Sequence, residues 1–319
     1  MPQLPAYVLV TPARNEAQFI QLTLESVIRQ TTLPLKWVIV DDGSTDGTHE
    51  IVRRYADRYA WMELVSLPVR HEHNFAGKVG AFNAGYDRVK HLDFEVIGNL
   101  DGDVSFEAEY LEFLLEKFAA DRGLGVAGTP YRETPPIRYE RFKSPRHVSG
   151  ACQLFRRKCF EEIGGYSPIP SGGVDFVAVL SAQEKGWTTT RFEQRACVHH
   201  RATGAGGDAR VLRRMFALGS RDYLLGSHPT FETFRCLYRT IHPPYVLGGA
   251  LMAAGYVWAW VRRMDTSLGP ELVRIRQEDQ LQRLKNVLRH PIRLWRGPGA
   301  TPAPTVETCA SSGTQRPPT

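Results

Sequence analysis

The amino-acid sequence predicts an α/β protein with a mostly parallel sheet. Strand-like apolar runs alternate with helical stretches up to about residue 205, which is the pattern of parallel sheets whose strands are connected by helices. Three of these runs end in polar turns, directly after Val10, Val40 and Leu100. Ligands of open α/β sheets bind at the carboxyl ends of the strands, so these three turns form the candidate site.

The first apolar run, Tyr7-Val8-Leu9-Val10, leads into the turn Thr11-Pro12-Ala13-Arg14-Asn15-Glu16 and a predicted helix over about residues 17–30. Backbone groups at such a turn can line a nucleotide pocket. The alternative is an ordinary turn at the edge of the sheet, and this turn by itself favours that alternative.

The second run, Trp37-Val38-Ile39-Val40, ends in Asp41 and Asp42. A Gly-Ser-Thr-Asp turn and a predicted helix over residues 48–59 follow. Carboxylates at a strand end can accept hydrogen bonds from a base N–H or from ribose hydroxyls. The alternative is a strand-turn-helix corner in which Asp46 or Thr48 caps the helix.

The third run, residues 94–98, leads into Asp101-Gly102-Asp103. Hard carboxylate oxygens suit Mg²⁺ or Mn²⁺, and these cations also hold the oxygens of a diphosphate. Asp-Gly-Asp occurs in ordinary turns as well. Its place after a strand, and the two similar turns before it, favour a metal site.

These motifs, in this order, resemble those of family 2 glycosyltransferases with the GT-A fold. Residues 78–85 resemble the Lys-x-Gly-x-x-Asn-x-Gly segment of that family, and residues 147–157 resemble its acceptor-side Ser/Thr-Gly segment. The resemblance extends from about Ala6 to Arg201. It implies a GT-A-like, Rossmann-like domain over residues 1–205 that binds a nucleotide-diphosphate sugar.

The resemblance also implies the ligand contacts. The implied donor-binding residues are Pro12, Ala13, Arg14, Glu16, Asp41, Asp42, Lys78 and Asp101. A divalent cation, Mg²⁺ or Mn²⁺, is expected at Asp103 and Asp101, where it would neutralise the departing diphosphate. Lys78 would offer a second positive charge. Related enzymes often carry a histidine after a later strand, and here His200 is the expected metal ligand, with His199 as the alternative.

Asp175 is the candidate catalytic residue. It follows a Gly-Gly turn, opens a predicted helix over residues 176–186, and stands where the family carries Glu-Asp, with Val174 in place of the first acid. One carboxylate suffices to accept the proton of the acceptor hydroxyl in an inverting transfer. The alternative is an acid that only stabilises the first turn of a helix electrostatically.

Residues 206–295 are helical, basic and aromatic in character and predict a membrane-associating module. The run Tyr245–Val261 carries no charge, has aromatic residues near its ends and is followed by Arg262-Arg263, as at a membrane interface. It is slightly shorter than the roughly 20 residues of a spanning helix. We therefore expect peripheral or monotopic contact with the cytoplasmic face of the cell membrane. A helix buried against the catalytic domain is the alternative.

Composition bounds the remaining possibilities. The net charge of +6 fits an anionic partner, and the chain lacks a nucleic-acid-binding motif, so nucleic acid is not an expected partner. The 5 cysteines are an odd number without metal-binding spacing, which fits a reducing compartment and argues against a zinc site. The start of the chain lacks the pattern of a signal peptide. Residues 296–319 contain few large apolar residues and predict a disordered tail.

The expected function is an inverting, metal-dependent transfer of sugar from a nucleotide-diphosphate sugar to a glycan or polyprenyl-linked acceptor. One alternative is a nucleotidyltransferase on a similar sheet, but such an enzyme would carry a Gly-rich phosphate loop where this chain has Pro12-Ala13-Arg14-Asn15-Glu16. The other alternative is a non-catalytic protein that binds nucleotide sugars.

Overall fold

The computed structural model describes residues 3–69, 75–133, 144–169, 172–201 and 208–289. The tail that the sequence predicts to be disordered, residues 296–319, lies outside these ranges, as does Cys309. The cysteines within the described ranges are buried free thiols, namely Cys152, Cys159, Cys197 and Cys236.

A sheet of 7 strands forms the centre of the molecule. In spatial order the strands are β3 (Met62–Ser66), β2 (Lys36–Asp41), β1 (Tyr7–Ala13), β4 (Val96–Leu100), β8 (Cys152–Arg156), β6 (Leu124–Gly128) and β9 (Thr188–Arg191). Strand β8 runs antiparallel to its neighbours β4 and β6, whereas the other pairs are parallel. The predicted α/β fold with a mostly parallel sheet is therefore confirmed.

Both faces of the sheet are covered, because successive side chains of a strand point to opposite faces. Leu9 and Ile39 belong to one buried cluster, and Val10 and Val40 belong to another. We call residues 3–201 the sheet half. Its helices are α1 (Ile20–Ile28), α2 (Thr48–Ala56), α3 (Phe75–Val89), α4 (Tyr110–Ala120), α5 (Arg157–Glu162) and α6 (Val174–Glu184). The helices predicted after the first two motifs and at Asp175 are α1, α2 and α6, each displaced or shortened by a few residues.

A second, small sheet lies beside the carboxyl end of β4. It consists of β5 (Val104–Ser105), β10 (Cys197–His199) and β7 (Tyr131–Glu133), with β10 in the middle. In the antiparallel pairing of β10 with β5, His199 lies opposite Val104. The small sheet thereby brings the histidine segment to the Asp-Gly-Asp turn.

Four further helices follow, and they are α7 (Asp208–Leu224), α8 (Pro229–Arg239), α9 (Tyr245–Val261) and α10 (Pro270–Arg289). Helix α9 packs closely on α7: a Cβ added at Gly255 would lie 2.0 Å from the carbonyl oxygen of Phe216, and one at Gly219 would lie 1.9 Å from that of Met252. One face of the apolar run is thus buried against α7. The part of the chain that the structure describes contains no helix long and apolar enough to cross a membrane.

The opposite side of α8 and α9 exposes large apolar side chains. Leu237, Val246 and Trp260 are 65%, 69% and 61% exposed. Between the two helices runs an apolar groove of about 630 Å³ with these three residues and Val257 in its walls. Helix α9 is therefore half buried, between the two alternatives that the sequence left open.

Candidate active site

The first two sequence motifs form one interlocked corner. The backbone N–H of Glu16 donates to Thr48 Oγ1 at 2.8 Å, and the N–H of Ala17 donates to Asp46 Oδ2 at 3.0 Å. The N-cap of α2 is Gly47, which makes no side-chain cap. Asp46 accepts from the backbone N–H of Thr48, the first residue of α2, at 3.1 Å and also joins the second turn to the first. The two turns therefore hold each other at the carboxyl edge of the sheet.

Asp41 and Asp42 lie in this corner and are both buried. Asp41 Oδ1 accepts from the backbone N–H of Ser44 at 2.9 Å, and its Oδ2 lies 3.2 Å from His49 Nδ1. Asp42 Oδ2 lies 3.9 Å from the guanidinium of Arg14. These predicted donor-binding acids thus shape the turns as well as the edge of the site, and their role as donor contacts stays a prediction.

The Asp-Gly-Asp turn builds the candidate metal site. Oxygens of Asp101 and Asp103 and a ring nitrogen of His199 all lie within 4.8 Å of one another. His199 Nε2 is 3.5 Å from Asp103 Oδ1. Two carboxylates and an imidazole form a donor set that suits Mn²⁺, and the carboxylates suit Mg²⁺. The residues present therefore fit the divalent cation that the sequence predicts.

The two histidines take different positions, and the choice of metal ligand between them stays a prediction. The ring of His199, rather than that of the expected His200, faces the two carboxylates, and His200 follows the last residue of β10. His200 Nε2 lies 2.7 Å from Ser105 Oγ, and its ring stacks on Phe19. Burial lowers the pKa of His200, which favours the neutral ring.

Lys78 lies in the first turn of α3, close to where the sequence places it. Its Nζ donates to Asp101 Oδ1 at 2.6 Å. Burial opposes the charge of this ammonium group, but the carboxylate of Asp101 outweighs burial and raises the pKa of Lys78. Burial and the nearby Asp103 together raise the pKa of Asp101, against the effect of Lys78. The cluster thus combines two acids and a cation at the end of β4.

Arg201 and Glu16 add a second ion pair that the sequence analysis did not assign. Arg201 Nε lies 3.2 Å from Asp103 Oδ2, and its Nη2 contacts the Glu16 carboxylate. Burial and the charge of Asp103 raise the pKa of Glu16 to about 7. Arg201 thus bridges the first and third motifs. Its position directly after the histidine pair was the one signal in the sequence that pointed to it.

Asp175 lies in the first turn of α6, which follows Gly173 in a left-handed conformation at φ 90°. Its Oδ2 accepts from the backbone N–H of Gly150 at 2.9 Å. The side-chain amide of Gln153 donates to the Asp175 carbonyl oxygen at 3.3 Å. The predicted acceptor-side segment, residues 147–157, therefore contacts the predicted base directly.

A cleft of about 180 Å³ is lined by Asp101 and His199 of the candidate metal site, by Lys78 and by Asp175, whereas Asp103 is not part of its described lining. The residues with polar side chains that line it are Lys78, Asn99, Asp101, Tyr131, Ser149, Tyr166, Asp175 and His199. Six predicted donor-binding residues are not part of the described lining of this cleft, namely Pro12, Ala13, Arg14, Glu16, Asp41 and Asp42. They belong to the interlocked corner, which Arg201 joins to Asp103 through Glu16.

Residues 8–146 match the profile of the family described as Glycosyl transferase family 2. This part of the chain is a family 2 glycosyltransferase domain. The resemblance to family 2 glycosyltransferases that the sequence indicates is therefore confirmed for these residues. Curated relatives agree: the chain is 28% identical over 204 residues to "Glycosyltransferase AglE" of Haloferax volcanii, covering 59% of this chain and 64% of that protein.

A second relative is "Chondroitin synthase" of Pasteurella multocida, which is 30% identical over 134 residues, or 42% of this chain and 13% of that protein. The chain thus spans less than two thirds of either relative. Solved structures share the fold: a mannosyltransferase of Pyrobaculum calidifontis, in complex with GDP-Man and Mn²⁺, has a TM-score of 0.56 at 20% identity and covers 92% of this chain and 83% of that one.

The structure of S. aureus TarS in complex with UDP-GlcNAc is a further match, with a TM-score of 0.53 at 13% identity, and it covers 90% of this chain and 92% of that chain. At sequence identities this low, a structural match shows the fold alone. The two matches confirm the GT-A-like architecture of the sheet half.

Proposed function

We propose that the protein is an inverting, metal-dependent glycosyltransferase that uses a nucleotide-diphosphate sugar. One observation carries the proposal: a single cleft is lined by Asp101 and His199 of the candidate metal site, by Lys78 beside them, and by a separate carboxylate, Asp175. A diphosphate leaving group needs positive charge, and an attacking hydroxyl needs a base. The cleft offers groups of both kinds to one substrate.

The donor's diphosphate would lie at the end of β4. Asp101, Asp103 and His199 would hold Mg²⁺ or Mn²⁺, which supplies charge neutralisation for the departing diphosphate. Lys78, whose ammonium is kept protonated by Asp101, adds a second cation on the same side. The nucleoside would extend toward the interlocked corner of Pro12, Ala13, Arg14, Glu16, Asp41 and Asp42.

Asp175 would accept the proton of the acceptor hydroxyl as that oxygen attacks the anomeric carbon. The new C–O bond forms while the bond from that carbon to the diphosphate oxygen breaks, so the anomeric configuration inverts. The hydrogen bond from the Gly150 N–H orients one carboxylate oxygen of Asp175. Val174 replaces the first acid of the family's usual pair, so in this chain the proton falls to Asp175 alone.

The acceptor is proposed to be a glycan or polyprenyl-linked glycan at the cytoplasmic face of a membrane. Support comes from the exposed apolar side of α8 and α9, where the side chains of Leu237, Val246 and Trp260 are exposed to solvent. Arg262 and Arg263 follow α9 and are exposed, as basic residues are beside anionic lipid headgroups. An apolar side with a basic end suits a helix pair that lies in the interface without spanning the bilayer.

The test is turnover of purified full-length protein with UDP- and GDP-sugars, in Mn²⁺, in Mg²⁺ and in chelator. We expect release of nucleoside diphosphate that requires the cation, and a product whose anomeric configuration, read by NMR, is opposite to that of the donor. Release of pyrophosphate from a nucleoside triphosphate and a sugar phosphate would instead identify a nucleotidyltransferase. Tight binding of the donor without turnover across acceptors would identify a binding protein.

A further inference from the structure

The C-terminal helices pack on the helix that carries Asp175. Leu225 and Leu268 form one hydrophobic cluster with Val177 and Leu180 of α6. A Cβ added at Gly173, directly before α6, would lie 3.2 Å from Leu225 Cδ1. The first turns of α6 therefore rest on residues that follow α7 and precede α10 in the chain.

A buried ion pair stands at this contact. Arg276 of α10 is 6% exposed, and it donates to Asp222 Oδ1 at 2.9 Å and to the carbonyl oxygen of Leu225 at 3.0 Å. The guanidinium carbon lies 4.8 Å from the centre of the Phe176 ring. Phe176 is the neighbour of Asp175 in the sequence and in the first turn of α6.

Asp175 is thus fixed from two directions. From the sheet side, Gly150 and Gln153 hold its carboxylate and its carbonyl group. From the helical side, Arg276 covers the ring of Phe176. Arginine is suited to covering the Phe176 ring while it pairs with Asp222, because a planar guanidinium both stacks on a ring and donates hydrogen bonds in fixed directions.

We infer that Arg276, held by Asp222, is a positioning residue for Asp175 and makes the C-terminal helices part of the active site's support. The inference rests on the proposed role of Asp175 as the base. A buried ion pair by itself contributes little net stability, so what this pair provides is a fixed geometry for α6. Misplacement of a catalytic group by about 1 Å can cost on the order of a hundredfold in rate.

The first test needs no substrate. Arg276→Met keeps an unbranched apolar side chain beside Phe176, and Asp222 keeps its 2.7 Å ion pair with Arg235. We expect hydrogen exchange at the Gly150 amide and in the first turn of α6 to become about tenfold faster. The matched control is Arg274→Met on the same helix, where Arg274 is exposed and paired with residues of its own helix.

Phe176→Leu is the second variant, and it removes the ring while keeping an apolar side chain. If Arg276→Met destabilises the whole protein, Phe176→Leu still tests the inference, because this variant keeps the ion pair between Arg276 and Asp222. We expect it to raise the same exchange rates. Unchanged exchange at Gly150 and in the first turn of α6 in Phe176→Leu and in a folded Arg276→Met would overturn the inference.

The second test is a double-mutant cycle on the hydrolysis of UDP-GlcNAc or GDP-mannose by water. Arg276→Met should lower turnover about tenfold, with KM for the donor and the Kd of UDP or GDP with Mn²⁺ unchanged. In the Asp175→Asn background it should have no further effect, because both act through one group. An equal loss in both backgrounds would contradict the inference.

The two proposals fail in different ways. If Asp175→Asn turns over like the wild type, the proposed base is wrong, whatever Arg276→Met does. If Asp175→Asn loses turnover and Arg276→Met and Phe176→Leu keep it, the base stands and the positioning role is wrong.

Discussion

The two halves of the chain place their charged and apolar residues in opposite ways. The sheet half puts Asp101 and Asp175 at the edge of a cleft and keeps its large apolar residues mostly inside. The helical half, residues 208–289, buries the pair Asp222 and Arg276 and leaves Trp260 exposed. Under the proposed function, the charges at the cleft serve chemistry and the buried pair fixes the geometry of α6. Exposed apolar groups of this size indicate a partner surface.

Asp175→Asn gives the largest effect expected in the sheet half. We expect turnover to fall by about two to four orders of magnitude, the usual range for loss of a general base, with binding of UDP or GDP unchanged. Steady-state rates and calorimetric binding measure the two quantities. The matched control is Glu50→Gln, which removes another acid from the first turn of a helix. Near-normal turnover in Asp175→Asn would mean that Asp175 only stabilises α6.

Asp103→Asn tests the candidate metal site at the end of β4. We expect the affinity for UDP or GDP in Mn²⁺ to drop on the order of a hundredfold, because a hard cation loses a carboxylate ligand. Binding in chelator should stay as in the wild type. The exposed Asp87, which pairs with Lys90, supplies the control variant Asp87→Asn. Equal affinity of Asp103→Asn and wild type in Mn²⁺ would contradict the metal assignment.

Replacing exposed apolar residues with glutamate compares the two halves in their contribution to membrane binding. Leu237→Glu and Trp260→Glu should each weaken sedimentation with anionic phosphatidylserine-containing vesicles by about tenfold, because an apolar side chain gains roughly 1.5–3 kcal/mol from burial. Leu35→Glu is the control in the sheet half, where Leu35 is 52% exposed. Point variants are preferable to removing residues 206–319, since truncation would uncover the cluster around Leu225 on α6. Vesicle binding that none of the variants changes, or none in the wild type, would remove the membrane proposal.

Glu232→Gln gives the smallest effect, a pH dependence confined to the helical half. Burial raises the pKa of Glu232 to about 7, although Arg235 partly opposes this. In the unfolded chain this carboxyl titrates at about 4.3. Between these pH values the folded state keeps a proton that the unfolded state loses, so the contribution of Glu232 to the free energy of unfolding falls as pH rises and is constant outside this window.

Denaturant unfolding of wild type and Glu232→Gln measures that contribution. The variant should gain about 1–3 kcal/mol relative to the wild type on going from pH 4 to pH 8. The exposed Glu184 supplies the control variant Glu184→Gln. A constant difference between Glu232→Gln and wild type across this range would show that Glu232 is ionised throughout.

The sequence by itself predicted the α/β class, the three strand-end turns, the Asp-Gly-Asp pair and the acid in the first turn of α6. These features depend on local pattern: an apolar run ends, and a polar turn follows. The order of these turns also indicated the family 2 glycosyltransferase profile that residues 8–146 match. The helical character of residues 208–289 was equally visible, because it follows from periodicity and composition.

Only the tertiary structure decided which distant residues meet. His199 and His200 are neighbours, and only the folded chain shows that the ring of His199 lies at Asp103 while the ring of His200 lies at Ser105. Arg201 reaches Glu16 across 185 positions of the chain. Arg276 reaches Phe176 in the same way. No local pattern contains such pairs, because they arise from packing between elements whose order in space the sequence alone does not state.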